Sequence, residues 1–368
     1  MTEVDPEFES ALAANESELR HLIEERLKLV GAASAEGGAA GHLAAELVKR
    51  IEREAGGLDG CVERSGAPAA APCAPQKPVV IVGGAGGMGR QLHRAFESSG
   101  WPVRVLERGD WPSAAEILEG AGIVVVSVPI DKTIDVIELL KGRVPADALL
   151  CDVTSVKAAP VAAMLRAHQG PVAGLHPMFG PDVAGFAGQV FVYAPGRDEE
   201  AAEPLLEQIR TWGAKVVRCS AEDHDRAMGI IQALRHFTTY AYGVFLEKLH
   251  PDLSLVLQLS SPIYRLELEM VGRLFAQDPR LYADIILANP RNAQLIRGYV
   301  ESLAPELDLV ESRERDEFIR RFERVREYFG DLAPAFMKES GHMLNLIQAE
   351  RREREKRADG LRNSSSQV

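Results

Sequence analysis

The sequence has few of the features that mark secreted, membrane-bound or nucleic-acid-binding proteins. Its four cysteines (Cys61, Cys73, Cys151 and Cys219) form no CxxC pair, which argues against a disulfide framework or a zinc site. It has no apolar run of about eighteen residues, and the N-terminal MTEVDPEFES is acidic and unlike a signal peptide. We therefore expect a soluble cytoplasmic protein without membrane partners. The net charge of -12 and the absence of a basic stripe make nucleic acid an unexpected partner.

The 46% hydrophobic content over 368 residues is enough for two or three domains. Apolar residues spaced by three and four over residues 7–30 predict an amphipathic helix, and a shorter helix follows. Residues 57–77 are rich in Gly, Pro and Ala and have no periodicity. We expect a small helical module at 1–56 and a linker at 57–77.

Two further regions differ in their hydrophobic pattern. From 78 to 221, apolar segments such as VVIV and GIVVVSV alternate with helical segments, which is typical of a doubly wound α/β domain with a parallel sheet between helices. From 222 to 348 helical periodicity dominates and predicts an all-helical domain. The charged and then serine-rich residues 349–368 are expected to be a flexible tail.

A glycine turn follows the first strand of the α/β region. Gly84, Gly86 and Gly89 fit G-x-G-x-x-G at the start of a helix, an arrangement that binds a dinucleotide pyrophosphate. Glu107 ends the next strand, where an acid binds a ribose 2′-hydroxyl and favours NAD over NADP, although Arg108 weakens this preference. The alternatives are that the glycines serve only the packing of the turn and that Glu107 is a solvated charge at the end of a strand. With the glycines and the acid together, we expect a Rossmann-type NAD-binding domain.

Other strand ends point to the same crevice. Ser127 and Pro129 follow one strand and Ser155 follows the next, where the nicotinamide should lie. His176 ends a further strand, and hydride removal from an alcohol requires a base titrating near neutral pH, so turnover should fall near pH 6.5. A satisfied structural histidine is the alternative reading. His224 and His236 lie in the next helical stretch, with surface or core placement as their default.

Two arginines lie two turns apart in SSPIYRLELEMVGRLFA. Arg265 and Arg273 each stand four residues from Glu269, so the stretch can form a surface ladder of salt bridges. Alternatively, one guanidinium turns into the cleft and binds a substrate carboxylate through two parallel hydrogen bonds. The residues alone do not separate these readings.

Several motifs together resemble one enzyme family. VGGAGGMG, VSVPI, DVTSVK, GLHPMFGPD, IQALRHF and SSPIYRLELEMVGRLFAQDPRLYADII resemble the bacterial bifunctional chorismate mutase/prephenate dehydrogenases, over residues 78–332. The resemblance implies NAD-dependent oxidative decarboxylation of prephenate to 4-hydroxyphenylpyruvate in tyrosine biosynthesis. It also implies a homodimer with interlocking helical domains and feedback inhibition by tyrosine.

The resemblance assigns roles to individual side chains. His176 matches the catalytic histidine, which accepts a hydrogen bond from the substrate's ring hydroxyl, and Ser155 matches a serine near that hydroxyl and the nicotinamide. Arg273 matches the arginine that binds the carboxylate of prephenate, His236 matches a histidine associated with substrate or tyrosine binding, and Arg265 is a weaker match. Such a site needs orientation, a neutral imidazole and an anion clamp, and no metal.

The N-terminal module departs from the family pattern. Arg26 matches one mutase arginine, but Glu9 stands where a second is expected and residues 36–37 stand where a lysine is expected. No third helix precedes the linker, so we expect mutase activity to be lost. Two alternative functions are oxidation of arogenate by an arogenate dehydrogenase and sensing of NAD without turnover. The sequence does not separate prephenate from arogenate as the substrate.

Overall fold

The computed structural model describes residues 77–365, with side chains through residue 354. The predicted N-terminal module and residues 57–76 of the linker lie outside the described residues. Seven strands form one sheet: β1 (Val79–Val82), β2 (Val103–Leu106), β3 (Ile123–Val126), β4 (Leu149–Asp152), β5 (Val172–Pro177), β6 (Val190–Arg197) and β7 (Lys215–Arg218). Their apolar segments are those that the sequence predicted as strands.

The strand order is β2-β1-β3-β4-β5-β6-β7. Val79 of β1 pairs with Val103 of β2 on one side and with Ile123 of β3 on the other, both in parallel. The chain therefore adds β2 on one side of β1 and then crosses over to add β3 on the opposite side. This switch point opens a crevice at the carboxyl ends of the strands, where α/β proteins bind ligands.

One pair of strands differs from the predicted parallel sheet. β5 and β6 run antiparallel, whereas β6 and β7 are parallel again. Residues 178–189 join β5 to β6 without a helix. A parallel neighbour needs a long crossover, usually through a helix, so this short connection returns the chain in the opposite direction.

Five helices cover the sheet: α1 (Gly87–Ser98), α2 (Ala114–Leu118), α3 (Ile130–Leu140), α4 (Ala158–Ala167) and α5 (Glu199–Thr211). Alternate residues of each strand face opposite sides. Val79 and Ile81 pack in one core with side chains of α1 and α5, and Val80 and Val82 pack in the other with α2, α3 and α4. The doubly wound arrangement predicted from the sequence is confirmed.

The remaining elements are helical: α6 (Ala221–Met228), a π-helical segment (Gly229–Leu234), α7 (Arg235–Leu249), α8 (Leu253–Leu259), α9 (Pro262–Phe275), α10 (Pro279–Leu287), α11 (Pro290–Ser312), α12 (Arg315–Phe329) and α13 (Leu332–Ser365). The backbone of α13 is helical to Ser365, so residues 349–365, predicted as a flexible tail, form its last turns. Their Arg, Glu and Lys residues are good helix formers. Within 77–365, no helix is both long and apolar enough to cross a membrane.

The helices after α7 bury few apolar side chains of their own. The buried ones in this region are Val271, Leu274, Ile285 and Leu309. Large apolar side chains that remain at least three quarters exposed are Leu259, Leu287, Tyr328 and Met337. Exposed apolar side chains in this number are found on surfaces that bind another protein, a membrane or a ligand.

Candidate active site

The glycine turn joins β1 to α1 at the switch point. Gly83 has a φ of +84°, and a Cβ there would collide with the carbonyl oxygen of Ser127 at the end of β3. A Cβ on Gly89 would collide with the carbonyl oxygen of Gly83, so this glycine permits close packing of helix and strand. The predicted set omitted Gly83, although the doubled glycine in VGG was its signal.

The other predicted cofactor residues surround this turn. The backbone N–H of Ala85 donates to Oε1 of Glu107 at 2.7 Å, which holds the carboxylate of Glu107 over the turn. Ser127 donates its backbone N–H to Val82 at 2.8 Å, and Pro129 precedes the first turn of α3. The ends of β1, β2 and β3 therefore bring these groups together.

The crevice has the features required to hold a dinucleotide. A Cβ on Gly86 would lie only 3.3 Å from the carbonyl oxygen of Gly83, so a glycine suits this close turn, and the first N–H groups of α1 follow it directly. An open cavity of about 250 Å³ adjoins the start of α1, lined by Gly87, Arg90, Gln91, Arg94, Pro181 and Asp182. The backbone amides at the start of α1 and the arginines of this cavity suit a pyrophosphate, and the carboxylate of Glu107, which lies against Ala85 of the turn, suits a ribose.

His176 lies at the end of β5, with only 3% of its surface exposed. Its Nδ1 lies 2.8 Å from Nε2 of His224, and Nδ1 of His224 lies 2.8 Å from Oδ1 of Asp225. Asp225 also accepts the backbone N–H groups of Lys157 at 2.8 Å and Ala158 at 3.1 Å, at the start of α4. The three side chains form a hydrogen-bonded chain from the helical region to the end of the sheet.

This chain determines where the protons lie. Burial acts to raise the pKa of Asp225, but the hydrogen bonds from His224 and from two backbone N–H groups outweigh burial and hold the pKa below its ordinary value. An ionised carboxylate can only accept hydrogen bonds, so Nδ1 of His224 must carry the proton that it donates to Asp225, and Nε2 of the neutral His224 ring is an acceptor. His176 must then donate from its own Nδ1. Its Nε2 is left with a free lone pair.

The surroundings of His176 keep it neutral. Burial lowers its pKa well below the ordinary value of 6.5, and the charge of Lys157 and the proximity of His224 lower it further. Lys157 is completely buried, and its Nζ donates to Asp152 and, at 2.6 Å, to the carbonyl oxygen of Leu175. His176 should thus act as a base at lower pH than the free imidazole value that the sequence suggested.

One side chain faces the free nitrogen of His176. Nε2 of Gln232, on the π-helical segment, lies 3.4 Å from Nε2 of His176. Ser155 and Gln232 line one small cavity, together with Asn292 and others. The predicted Ser155 thus shares a cavity with Gln232, and Gln232 in turn faces His176.

Arg273 and His236 share a second cluster. Arg273 donates to Oδ2 of Asp182 at 3.0 Å, in the loop that follows His176, and both side chains are more than half exposed. The rings of His236 and Tyr282 lie 4.8 Å apart in edge-to-face geometry. Burial raises the pKa of Tyr282, the charge of Arg273 lowers it and the charge of Asp182 raises it, so Tyr282 lies within electrostatic range of the Arg273–Asp182 pair.

Arg265 is placed differently. Its Nε donates to Oε1 of Glu269 at 3.1 Å, and Arg351 binds both carboxylate oxygens of Glu269 at 2.7 Å. This is the salt-bridge alternative considered for this helix, with Arg351 in the place expected for Arg273. A substrate-binding role for Arg265 stays a prediction.

Several residues near His176 were not identified from the sequence. Asp225 adjoins His224 in EDHD, and Lys157 ends DVTSVK, but neither charge has a local signal of its burial. Gln91 ties the loop after His176 to α1, because its Nε2 donates to the carbonyl oxygens of Pro181 and Val183 at 2.9 Å. Among the residues from 77 onward that the structure describes, no group of three His, Cys, Asp or Glu side chains is arranged to hold a metal ion.

Two family domains match this chain. Residues 107–218 match the nucleotide-binding domain of prephenate dehydrogenase, and residues 220–324 match the prephenate dehydrogenase dimerization domain. A T-protein from Enterobacter agglomerans is 50% identical over 272 residues, covering 74% of this chain and 73% of that protein. The chain belongs to the prephenate dehydrogenase family. A T-protein from Haemophilus influenzae is 49% identical over 266 residues, covering 72% of this chain and 71% of that protein.

A solved prephenate dehydrogenase has the same fold. The structure from A. aeolicus, in complex with hydroxyphenyl propionate and NAD+, superposes with a TM-score of 0.55 at 18% identity. It covers 70% of this chain and 98% of that chain. The likeness in fold thus includes both the sheet and the helices that follow it. The two matched domains do not extend to the predicted mutase module.

Proposed function

We propose that this chain catalyses the NAD-dependent oxidative decarboxylation of prephenate to 4-hydroxyphenylpyruvate, in tyrosine biosynthesis, with His176 as the base. The observation that carries the proposal is the chain from Asp225 through His224 to His176. It leaves the lone pair of a buried, neutral imidazole at the edge of a dinucleotide crevice. The family membership supports the substrate, and the relative from A. aeolicus was solved with NAD+.

The glycine turn and Glu107 would hold the cofactor. Gly84, Gly86 and Gly89 would let the pyrophosphate approach the start of α1, Glu107 would accept the ribose 2′-hydroxyl, and Ser127 and Pro129 would border the nicotinamide. When bound, NAD+ accepts the hydride. A 2′-phosphate would meet the carboxylate of Glu107, so NAD is preferred to NADP.

The reaction requires one base and one anion clamp. Nε2 of His176 accepts the hydrogen bond, and then the proton, of the ring hydroxyl as the hydride leaves the carbon that carries this hydroxyl. Ser155 borders the hydroxyl. The carbon–carbon bond to the ring carboxylate breaks, its electron pair enters the ring, and the oxygen regains a proton as the phenol. The products are 4-hydroxyphenylpyruvate, CO2 and NADH.

Arg273 is suited to bind a substrate carboxylate. Its present partner Asp182 is exposed, and an exposed ion pair contributes about 0 to 1 kcal/mol, so a carboxylate able to accept two parallel hydrogen bonds can replace it. His236, held against Tyr282 beside this pair, would contact the substrate side chain. Arg265 would add positive charge on the same helix.

A homodimer would cover the apolar surface of the helical region. The match to a dimerization domain supports a second copy of this chain as the partner. Tyrosine carries the same phenol as the reaction product, so it would compete for the same site as a feedback inhibitor. We further propose that the mutase site has been lost, because Arg26 matches one of the cations it requires whereas most of the others have no match.

A single assay tests the function. NADH formation is followed by absorbance with prephenate, with arogenate and with chorismate as alternative substrates. We expect NADH with prephenate and NAD+ and none with chorismate. Preferential oxidation of arogenate would identify arogenate as the substrate. Formation of NADH from chorismate would show that mutase activity is retained. Binding of NAD+ without turnover of either substrate would indicate a protein that senses NAD.

A further inference from the structure

The π-helical segment is the one irregular part of an otherwise continuous helix over residues 221–249. A π turn holds an extra residue, so it changes the direction of the side chains that follow, and such segments often occur at functional sites. Ile230 and Ile231 are more than half exposed, whereas Ala233 is buried. Gln232 lies between them and reaches the free nitrogen of His176.

The proton positions give this contact a direction. Nε2 of His176 carries a lone pair, because Nδ1–H is committed to His224. An amide nitrogen only donates, so at 3.4 Å the amide N–H of Gln232 faces that lone pair. Gln232 therefore occupies the position that the hydroxyl proton of the substrate must take. The contact is long for a hydrogen bond, which makes it easy to replace.

We propose that Gln232 is a hydrogen-bond donor to the reacting oxygen of the substrate. In the free protein its N–H faces Nε2 of His176, and in the complex the substrate hydroxyl takes over Nε2 while the Gln232 N–H turns to the hydroxyl oxygen. A hydroxyl that donates its proton still has two lone pairs to satisfy in a buried site. This inference rests on the proposed function.

A hydrogen-bond donor at this position would stabilise the transition state of the reaction. As the proton moves to His176, negative charge develops on the oxygen, and a preorganised N–H directed at that atom stabilises the transition state more than the ground state. A glutamine is suited to this because its amide does not titrate. The titratable groups around His176 are Lys157 with its partner Asp152, and His224 with its partner Asp225. A substitution at 232 by an uncharged residue leaves all four in place.

The test compares Gln232→Leu and Gln232→Glu with Gln258→Leu, which removes an exposed amide on α8. We expect Gln232→Leu to lower kcat about 10- to 100-fold with a smaller change in KM, since a lost hydrogen bond to a developing charge has this magnitude. The acid limb of its kcat/KM profile should move to higher pH, because the neutral imidazole loses a donor. Gln232→Glu should move the limb further, because a carboxylate favours the imidazolium. Gln258→Leu should match the wild type.

Two results would overturn the inference. One is a Gln232→Leu variant with the kcat and acid limb of the wild type. The other is an equal loss of kcat in both Gln232 variants with unmoved acid limbs and lowered melting temperatures, which would indicate a structural role. Wild-type activity distinguishes this failure from that of the function itself. If the wild type oxidises prephenate and the Gln232 variants do so equally well, only the role of Gln232 is lost.

Discussion

Asp225→Asn removes one charge from the chain that orients His176. The asparagine keeps the size of the side chain but replaces one accepting oxygen with a donor. The two oxygens of Asp225 now accept three N–H groups, so the new NH2 group faces Ala158 N–H if it takes the place of Oδ2, and faces both Lys157 N–H and His224 Nδ1–H if it takes the place of Oδ1. With the NH2 group in the place of Oδ1, Nδ1 of His224 faces a donor and must become an acceptor. His176 Nδ1 would then accept, and its Nε2 would carry a proton toward the substrate.

The size of the effect follows from the bond that is lost. A hydrogen bond to a charged group contributes about 1.5 to 3 kcal/mol, and each 1.36 kcal/mol is a factor of ten in rate. The population of the productive tautomer, and with it kcat, should fall about 10- to 150-fold. In serine proteases the equivalent change lowers kcat about 10⁴-fold, which sets an upper limit. The acid limb should move to lower pH, because the imidazolium loses a nearby anion.

The assay is steady-state oxidation of prephenate over a range of pH, with NAD+ binding and thermal unfolding measured in parallel. Asp223→Asn is the matched control, because Asp223 lies on the same helix, is mostly exposed and pairs with Arg226. The control should keep its kcat. NAD+ affinity should be unchanged in both variants. A folded Asp225→Asn variant with wild-type kcat would refute the idea that Asp225 sets the tautomer of His176.

Three further predictions address the other parts of the site. His176→Asn should lose turnover by orders of magnitude and keep its affinity for NAD+. In the wild type the unfolding temperature should drop as the pH falls below about 6.5, because the unfolded chain binds a proton that buried His176 does not. An equal drop in the His176→Asn variant would contradict this. Arg273→Ala should raise KM for prephenate, whereas Asp182→Asn, which frees the guanidinium, should keep or lower it; an unchanged KM in Arg273→Ala would leave a surface ion pair only. Glu107→Ala should raise KM for NAD+ and reduce the preference over NADP+, and an unchanged ratio of kcat/KM for the two cofactors would exclude a ribose contact.

The sheet was predictable because its signals are local. Each strand is a short apolar run between turn residues, and the switch between β1 and β3 follows from a glycine turn after the first run. The antiparallel pairing of β5 and β6 was missed because an apolar run does not specify the direction of its neighbour. The lack of a helix between residues 178 and 189 was the feature that indicates an antiparallel neighbour.

The positions of the candidate site residues in the fold were predictable to the extent that strand ends determine them. His176 and Ser155 end strands or follow them directly, so topology alone brings them to one edge. The contact from Asp225 to the start of α4 spans 67 and 68 residues of sequence, and no local pattern specifies it. The π-helical segment is equally hidden, because the sequence IIQALRHF is compatible with an ordinary α-helix.

The buried pair of Lys157 and Asp152 illustrates why such features escape a reading of the sequence. Removing two charges from water costs as much as their attraction returns, so the pair is weak evidence for stability. Its position is more informative: Lys157 joins the end of β4 to the carbonyl of Leu175, the residue before His176. The ammonium group thus fixes the backbone that carries the base and opposes protonation of its imidazole. One buried cation gives His176 both its place and its neutral form, which is a functional reason for a charge that packing alone would not favour.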